Sequence, residues 1–129
     1  MTPELTVLAL AALLQYIQFV LMSVPLNLQL GPKATAGPRD EALEIKGIPG
    51  RLFRAFNNHF EALILFTIAV IVVTLSDQST PYTAACAWTY LIARILYIPA
   101  YAIGVPFLRT LIFVVGFAAT LAMILSALI

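Results

Sequence analysis

The sequence predicts an all-α membrane protein, a four-transmembrane-helix bundle with up-down topology. Hydrophobic residues make up 62% of the chain and charged residues only 10%, whereas charged residues are ~25% of an ordinary soluble domain. Four apolar segments each reach the ~20 residues that a membrane-spanning helix needs. Two of the three connections are tight turns, which place consecutive helices side by side and antiparallel. Residues 1–129 are therefore predicted to form one transmembrane domain.

Each predicted helix is bounded by local signals. The first begins at Thr2-Pro3-Glu4, which combines an N-cap, a first-turn proline and an acid that suits the helix dipole. A turn at residues 76–80 ends the second helix and leads into Pro81, and Gly104-Val105 separates the third helix from the fourth. The predicted helices cover about residues 2–30, 50–76, 81–103 and 106–128.

The charge balance and the single cysteine exclude several kinds of partner. A net charge of +1 gives no basic field, so we expect no nucleic acid to bind. Cys86 lies in an apolar run without a neighbouring His or Cys, which favours a small buried hydrophobe over a reactive thiol. We therefore predict neither an internal disulfide nor a metal site.

The distribution of basic residues predicts the orientation in the membrane. The first loop and its borders hold five of the basic residues, and one more follows the third helix, whereas both termini and the second loop hold none. By the positive-inside rule, the first and third loops lie in the cytoplasm and both termini lie outside. The basic residues in question are Lys33, Arg39, Lys46, Arg51, Arg54 and Arg109.

A polar stripe opens the second predicted helix. Its members are spaced at i, i+3, i+7 and i+10, which at ~100° per residue places them within a stripe ~80° wide. Glu61 lies ~15 Å along the axis from Arg51, so a carboxylate enters the membrane. A charge that faces lipid at the helix centre costs ~2.5–3.5 kcal/mol, and the stripe is therefore expected to face protein. It consists of Arg51, Arg54, Asn58 and Glu61.

Two more helices bring polar residues to the same level of the membrane. Arg94, Tyr97 and Tyr101 recur at i, i+3 and i+7 near the end of the third helix, again on one face. Arg109 lies at the start of the fourth helix. Because successive helices run in opposite directions, all of these side chains are expected at the cytoplasmic end of the bundle.

Two interpretations of this polar region stay open on the residues alone. In the first, it is an internal network in which Glu61 pairs with Arg54 or Arg94. In the second, it binds a polar, partly anionic ligand, because the arginines outnumber the single carboxylate and ionisable residues in membranes mark function by default. His59 lies off the stripe, so an interface or headgroup contact is favoured over a role as a base.

Three motifs resemble those of the MAPEG family, the membrane-associated proteins in eicosanoid and glutathione metabolism. The stretch R-L-F-R-A-F-N-N-H-F-E, from Arg51 to Glu61, is similar to the family signature R-x-x-R-A-x-x-N-x-x-E. R-I-L-Y-I-P-A-Y, from Arg94 to Tyr101, looks like R-x-x-Y-x-x-x-Y, and G-V-P-F-L-R-T matches the start of the fourth helix. The turn G-P-R-D and the short segment I-G-V-P-F-L-R-T look most like the small bacterial branch, which implies a bacterial inner membrane.

The resemblance implies a homotrimer that binds glutathione as a co-substrate between adjacent subunits near the cytoplasmic face. By position, Glu61 would hold the ammonium group of the tripeptide, and Arg51 and Arg54 its carboxylates. Arg109 would be the catalytic residue that faces the thiol. The remaining residues that the resemblance assigns to the glutathione site are Asn58, Arg94, Tyr97 and Tyr101.

The activity that the resemblance implies is a glutathione-dependent transferase or peroxidase acting on apolar electrophiles or lipid hydroperoxides. Two alternatives come from other classes of protein. The same pocket could bind a lipid or a thiol without turnover, or the chain could be an accessory subunit of a larger membrane complex. A channel or transporter is disfavoured, because the outer half of the bundle has only isolated Thr and Ser residues.

The predicted orientation can be tested by labelling single cysteines. In a Cys86→Ala background, cysteines introduced at Ala36 and Ser79 should react with a membrane-impermeant maleimide from opposite faces of the membrane. Inside-out and right-side-out vesicles would be compared. Labelling of both positions from one face would contradict the charge-based orientation.

Overall fold

Four long helices form the computed structural model, which describes residues 1–30 and 47–129. Helix α1 spans Pro3–Leu30, α2 spans Gly47–Leu75, α3 spans Pro81–Ile103 and α4 spans Pro106–Leu128. Each contains an 18-residue window apolar enough to cross a membrane, with mean hydropathy between 1.3 and 2.5. The predicted all-α class and its four membrane-type helices are confirmed, and the chain is an integral membrane protein.

Helix α2 begins at Gly47, three residues before the predicted start near Gly50. Pro49 lies in the first turn, where the N–H groups of a helix have no intrahelical acceptor. A proline there removes nothing that the helix uses. The helix therefore begins about one turn before the first residue of the predicted polar stripe.

Helices α2 and α3 occupy the centre of the bundle. Each of them contacts the other three helices, whereas α1 and α4 make no contact with each other within the described ranges. The cross-section is therefore a rhombus with α2 and α3 on its short diagonal, α1 at one corner and α4 at the opposite one. This arrangement brings α2, α3 and α4 together along one side of the molecule.

The apolar core lies away from the arginines, towards the end where α1 begins. Phe66 of α2 stacks on Tyr90 of α3, with ring centroids 4.0 Å apart and planes 4° from parallel. Small residues allow close helix approach, since a Cβ on Gly116 would lie 3.4 Å from the Cβ of Ala93. Such close contacts hold helices together in membranes, where lipid removes the hydrophobic driving force.

A buried carboxylate joins α1 to the start of α3. Glu4 is fully buried, and its two oxygens share the single O–H of Ser79, whose Oγ lies 2.9 Å from each of them. The hydroxyl of Thr83 donates to Glu4 Oε1 at 2.6 Å, and it also belongs to the capping box of α3 with Thr80. The carboxylate therefore lies at the N-termini of two helices, where both dipoles favour a negative charge.

We expect Glu4→Gln to lower the free energy of unfolding by about 1–2 kcal/mol, because it removes the charge that faces both helix dipoles. Asp77→Asn is the matched control: it removes a charge at an exposed position of the same end of the bundle. Thermal unfolding of the two variants in one detergent gives the comparison. Equal midpoints would show that the buried carboxylate contributes nothing.

Candidate functional site

A polar cavity lies between α2, α3 and α4, at the end where α2 and α4 begin. Its volume is about 400 Å³, and it is open on one side. The first half of α2, the last turns of α3 and the first two turns of α4 form its walls. They are Arg54, Asn57, Asn58, Glu61, Tyr97, Tyr101, Arg109, Thr110 and Phe113.

The charges around the polar cavity are not paired with one another. Arg54 and Glu61 are exposed to the cavity and Arg109 is half-buried. No ion pair joins any two of these side chains in the part of the chain that the structure describes. The expected internal pairing of Glu61 with Arg54 or Arg94 is therefore not what the described residues form. One carboxylate and two guanidinium groups face the cavity with their charges available.

Two tyrosine rings lie between two arginines in a row beside the polar cavity, and all members of the row except Arg94 line that cavity. The Arg94 guanidinium carbon lies 4.4 Å from the Tyr97 ring centroid, and that of Arg109 lies 4.6 Å from the Tyr101 centroid. The two rings meet edge-to-face at 5.5 Å. Contacts of this kind contribute about 0.5–2 kcal/mol each when water is excluded, so the row fixes both guanidinium groups.

Arg94 is the deepest cation in the site and is held by a histidine. Its exposed fraction is 3%, and its Nε–H donates to His59 Nδ1 at 3.3 Å. His59 is fully buried, and its Nε2 lies 3.0 Å from the carbonyl oxygen of Ala11 on α1. A neutral imidazole with its proton on Nε2 satisfies both contacts. His59 thus links three helices rather than making the expected interface or headgroup contact.

Arg51 lies outside the walls of the polar cavity, at the end of α3. Its Nη1 donates to the carbonyl oxygen of Ala102 at 3.2 Å, where the helix dipole favours a cation. Gly104, at φ 84°, ends α3 in the left-handed conformation, and a Cβ there would lie 2.9 Å from Arg51 Cζ. Only glycine suits both the backbone angle and the close guanidinium.

An apolar groove adjoins the polar cavity and runs between α2 and α4 towards the far end of the bundle. Its volume is about 360 Å³. Asn58, Glu61 and Phe113 line both the groove and the cavity, so the two spaces share a wall. The other residues lining the groove are Ala62, Leu65, Tyr90, Arg94, Gly116, Phe117, Thr120, Leu121 and Ile124.

The structure brings together most of the residues that the sequence proposed. Arg94 lines the apolar groove and Arg51 lines neither space. The predicted positions of Lys33, Arg39 and Lys46 lie outside the described residues. Six of the eight proposed site residues line the polar cavity, namely Arg54, Asn58, Glu61, Tyr97, Tyr101 and Arg109.

The sequence did not assign four polar residues of this region to the site: Asn57 and Thr110, which line the polar cavity, and Tyr90 and His59, which lie near Arg94. Tyr90 is four residues before Arg94, so the polar stripe of α3 extends one turn further than predicted. His59 gave no such signal, because its partners come from α1 and α3 and only the fold brings them together. Within the described ranges, no three His, Cys, Asp or Glu side chains form a group that could hold a metal ion.

The fold and site define a class: a four-helix membrane protein with a charged cavity at one end and an apolar groove beside it. The model of the MAPEG family matches residues 5–129, essentially the whole chain, and the chain belongs to that family. No curated protein and no solved structure matches the chain. The family resemblance is confirmed at the level of the family.

A double-mutant cycle tests the contact between His59 and Arg94. His59→Phe leaves a buried guanidinium N–H without its acceptor, so we expect a loss of about 2–4 kcal/mol in unfolding free energy. In the Arg94→Met background the same substitution should cost less, with a coupling of about 1–3 kcal/mol.

The control cycle combines Arg94→Met with Tyr82→Phe, at the opposite end of α3, and should be additive. Unfolding free energies would be measured in one detergent system. Additivity of the His59 and Arg94 substitutions would contradict the contact.

Proposed function

We propose that this protein is a membrane-embedded glutathione-dependent transferase or peroxidase that acts on apolar electrophiles or lipid hydroperoxides. The observation that carries the proposal is the set of unpaired charges around the polar cavity. Two guanidinium groups, from Arg54 and Arg109, and one carboxylate, from Glu61, face the same space. Glutathione carries two carboxylates, one ammonium group and a thiol, which complement these charges.

The proposed binding mode assigns each charge of the tripeptide a partner. Glu61 accepts hydrogen bonds from its ammonium group, and Arg54 binds a carboxylate through its planar guanidinium. Asn57 and Asn58 offer amide groups to its peptide bonds. Arg51 is engaged with the end of α3, so its predicted contact with glutathione would require it to leave Ala102. The internal-network alternative is weakened, since these charges do not neutralise one another.

Arg109 is assigned to the thiol. A free thiol has a pKa of about 8.5, and a nearby cation favours the thiolate. In this protein the Arg109 guanidinium rests on the Tyr101 ring, which holds it in place and restricts its hydration. The thiolate is the reactive nucleophile, and holding it beside a second substrate supplies proximity as well as activation.

The homotrimer is part of the same proposal. The polar cavity is open on one side in a single protomer, where a neighbouring subunit would complete its wall. A subunit interface also shields the exposed charges of Arg54 and Glu61 from lipid, which would otherwise cost several kcal/mol.

Substitutions at the polar cavity should separate binding from thiol activation. Glu61→Gln and Arg54→Ala should weaken glutathione binding roughly ten- to a hundredfold, the loss of one charged contact each. Arg109→Ala should preserve most of the binding but abolish the ultraviolet thiolate absorbance. If the cation lowers the thiol pKa by ~2 units, its loss leaves a few per cent of thiolate at pH 7, and the single-turnover rate should fall at least about tenfold.

The matched control is Arg109→Lys, which keeps the charge and should retain part of the thiolate signal. The rate of Arg109→Ala should recover partly at alkaline pH, where the bound thiol ionises without help. A wild-type rate and thiolate signal in Arg109→Ala would disprove the role of Arg109. If the wild-type protein bound no glutathione in titrations, the proposed function would fail, and a lipid-binding or accessory role would replace it.

A further inference from the structure

His59 uses both of its ring nitrogens inside the bundle. The residue is fully buried on α2, and its Nε2 lies 3.0 Å from the carbonyl oxygen of Ala11 on α1. Its Nδ1 accepts the Nε–H of Arg94, on α3, at 3.3 Å. A ring with a proton on both nitrogens could not accept from Arg94, so the ring is neutral with its proton on Nε2. The backbone of α1 thus fixes the direction from which His59 offers its acceptor.

Arg94 depends on this acceptor for its orientation. Its exposed fraction is 3%, and the bond to His59 is the one hydrogen bond that its side chain makes within residues 1–30 and 47–129. Its Nη2 is buried without a partner there. The other contact that holds the guanidinium is the face of the Tyr97 ring, 4.4 Å from the guanidinium carbon to the ring centroid. Loss of the acceptor would let the guanidinium turn, and the ring would lose its cation.

Stability alone does not account for this buried pair. Replacing two buried polar partners by apolar side chains of similar volume is often neutral or stabilising, whereas removing one partner is costly. The apolar core already joins the same three helices, through residues such as Val7, Phe66 and Tyr90. A buried guanidinium in a membrane marks function by default. The direction in which His59 holds Arg94 is therefore expected to matter for the site.

The contacts of Arg94 continue to the cation that is assigned to the thiol. Tyr97 meets Tyr101 edge-to-face with ring centroids 5.5 Å apart, and the Arg109 guanidinium carbon lies 4.6 Å from the Tyr101 centroid. Side chains in a protein interior are packed closely enough to pass on small displacements. A turn of Arg94 would therefore shift both rings and, with them, the surface on which Arg109 rests.

We infer that His59 is a positioning residue for thiol activation: by orienting Arg94 it fixes the two tyrosine rings, and through them the distance from Arg109 to the thiol of glutathione. The role rests on the proposed function. Because the attraction between charges falls with distance, at an effective dielectric constant of ~20 a cation that retreats from ~4 to ~5 Å raises the thiol pKa by about 0.6. His59 does not line the polar cavity, so it acts only through these neighbours.

Two substitutions of His59 separate its two hydrogen bonds. In His59→Asn the side-chain oxygen takes the place of Nδ1, which keeps the acceptor for Arg94 and gives up the bond to Ala11. In His59→Gln the terminal amide nitrogen takes the place of Nε2, which keeps the bond to Ala11 and gives up the acceptor. Each variant loses one hydrogen bond of the same ring, and the two differ in the contact with Arg94.

The readout is the midpoint of thiolate absorbance against pH with glutathione bound. We expect His59→Gln to raise this midpoint by about 0.5–1, because Arg109 moves away from the thiol, and His59→Asn to leave it near the wild-type value. At pH 7 the single-turnover rate of His59→Gln with saturating glutathione should fall about three- to tenfold and recover at alkaline pH.

Binding of S-methylglutathione, which has no ionisable thiol, should change less than about twofold in these variants. The charged and titratable side chains that line the polar cavity are all retained in them, and Arg54, at 5.9 Å from the Tyr101 centroid, is only at the limit of contact with the row. These side chains are Arg54, Glu61, Tyr97, Tyr101 and Arg109.

Two further variants control for stability and for the route. Val73→Ala opens a cavity in the apolar core at the far end of α2, so it should lower the temperature of unfolding without moving the thiolate midpoint. Arg94→Met removes the other partner of His59 and should raise the midpoint as His59→Gln does. Adding His59→Gln to Arg94→Met should raise it no further. Arg94→Met also gives the test if a histidine variant does not fold.

The outcomes separate the two proposals. If wild-type protein forms the thiolate but His59→Gln and Arg94→Met leave its midpoint unchanged, the role of His59 is wrong and the proposed function stands. Equal shifts in His59→Gln, His59→Asn and Val73→Ala would also overturn that role, because the histidine would then act through stability alone. If wild-type protein neither binds glutathione nor forms its thiolate, the proposed function fails and the role of His59 fails with it.

Discussion

The hydrogen bond between Arg94 and His59 fixes the part of the bundle on which the site depends. A guanidinium buried at this depth cannot be hydrated, and the described residues offer it no carboxylate. His59 accepts its Nε–H and passes the connection to Ala11 of α1. The contact therefore joins α1, α2 and α3, while Arg94 Nη2 stays buried without a hydrogen-bond partner among the described residues.

The row of rings and cations extends this constraint to the membrane surface. Tyr97 lies against Arg94, Tyr101 lies against Tyr97, and Arg109 lies against Tyr101. One end of the row is deep and apolar, and the other end opens into the charged cavity. The arrangement keeps two guanidinium groups apart without a counter-ion between them, because each faces the negative surface of a ring. It places a polar cavity and an apolar groove on either side of a shared wall.

The sequence predicted which end of the bundle holds the site, but it predicted fewer of the contacts that the site residues make with one another. Spacing on single helices was sufficient to group Arg54, Asn58 and Glu61, because helical periodicity alone determines which residues share a face. The same argument placed Arg51 with them, yet one turn nearer the surface this side chain reaches the end of α3 instead. The role of His59 could not be derived, since its partners are 35 and 48 residues away in the chain.

The sequence by itself determined that this is a membrane protein with four helices, since an apolar segment of sufficient length must form a helix in lipid to satisfy its backbone. Its motifs also determined the family, which the match over residues 5–129 confirms. Only the tertiary structure decided which helices meet. The contacts of α2 and α3 with all other helices, and the lack of contact between α1 and α4 in the described ranges, depend on packing between distant segments. Packing of this kind made one wall serve both the cavity and the groove, and it left Tyr90 and Arg94 with donors that no residue described in the protomer accepts.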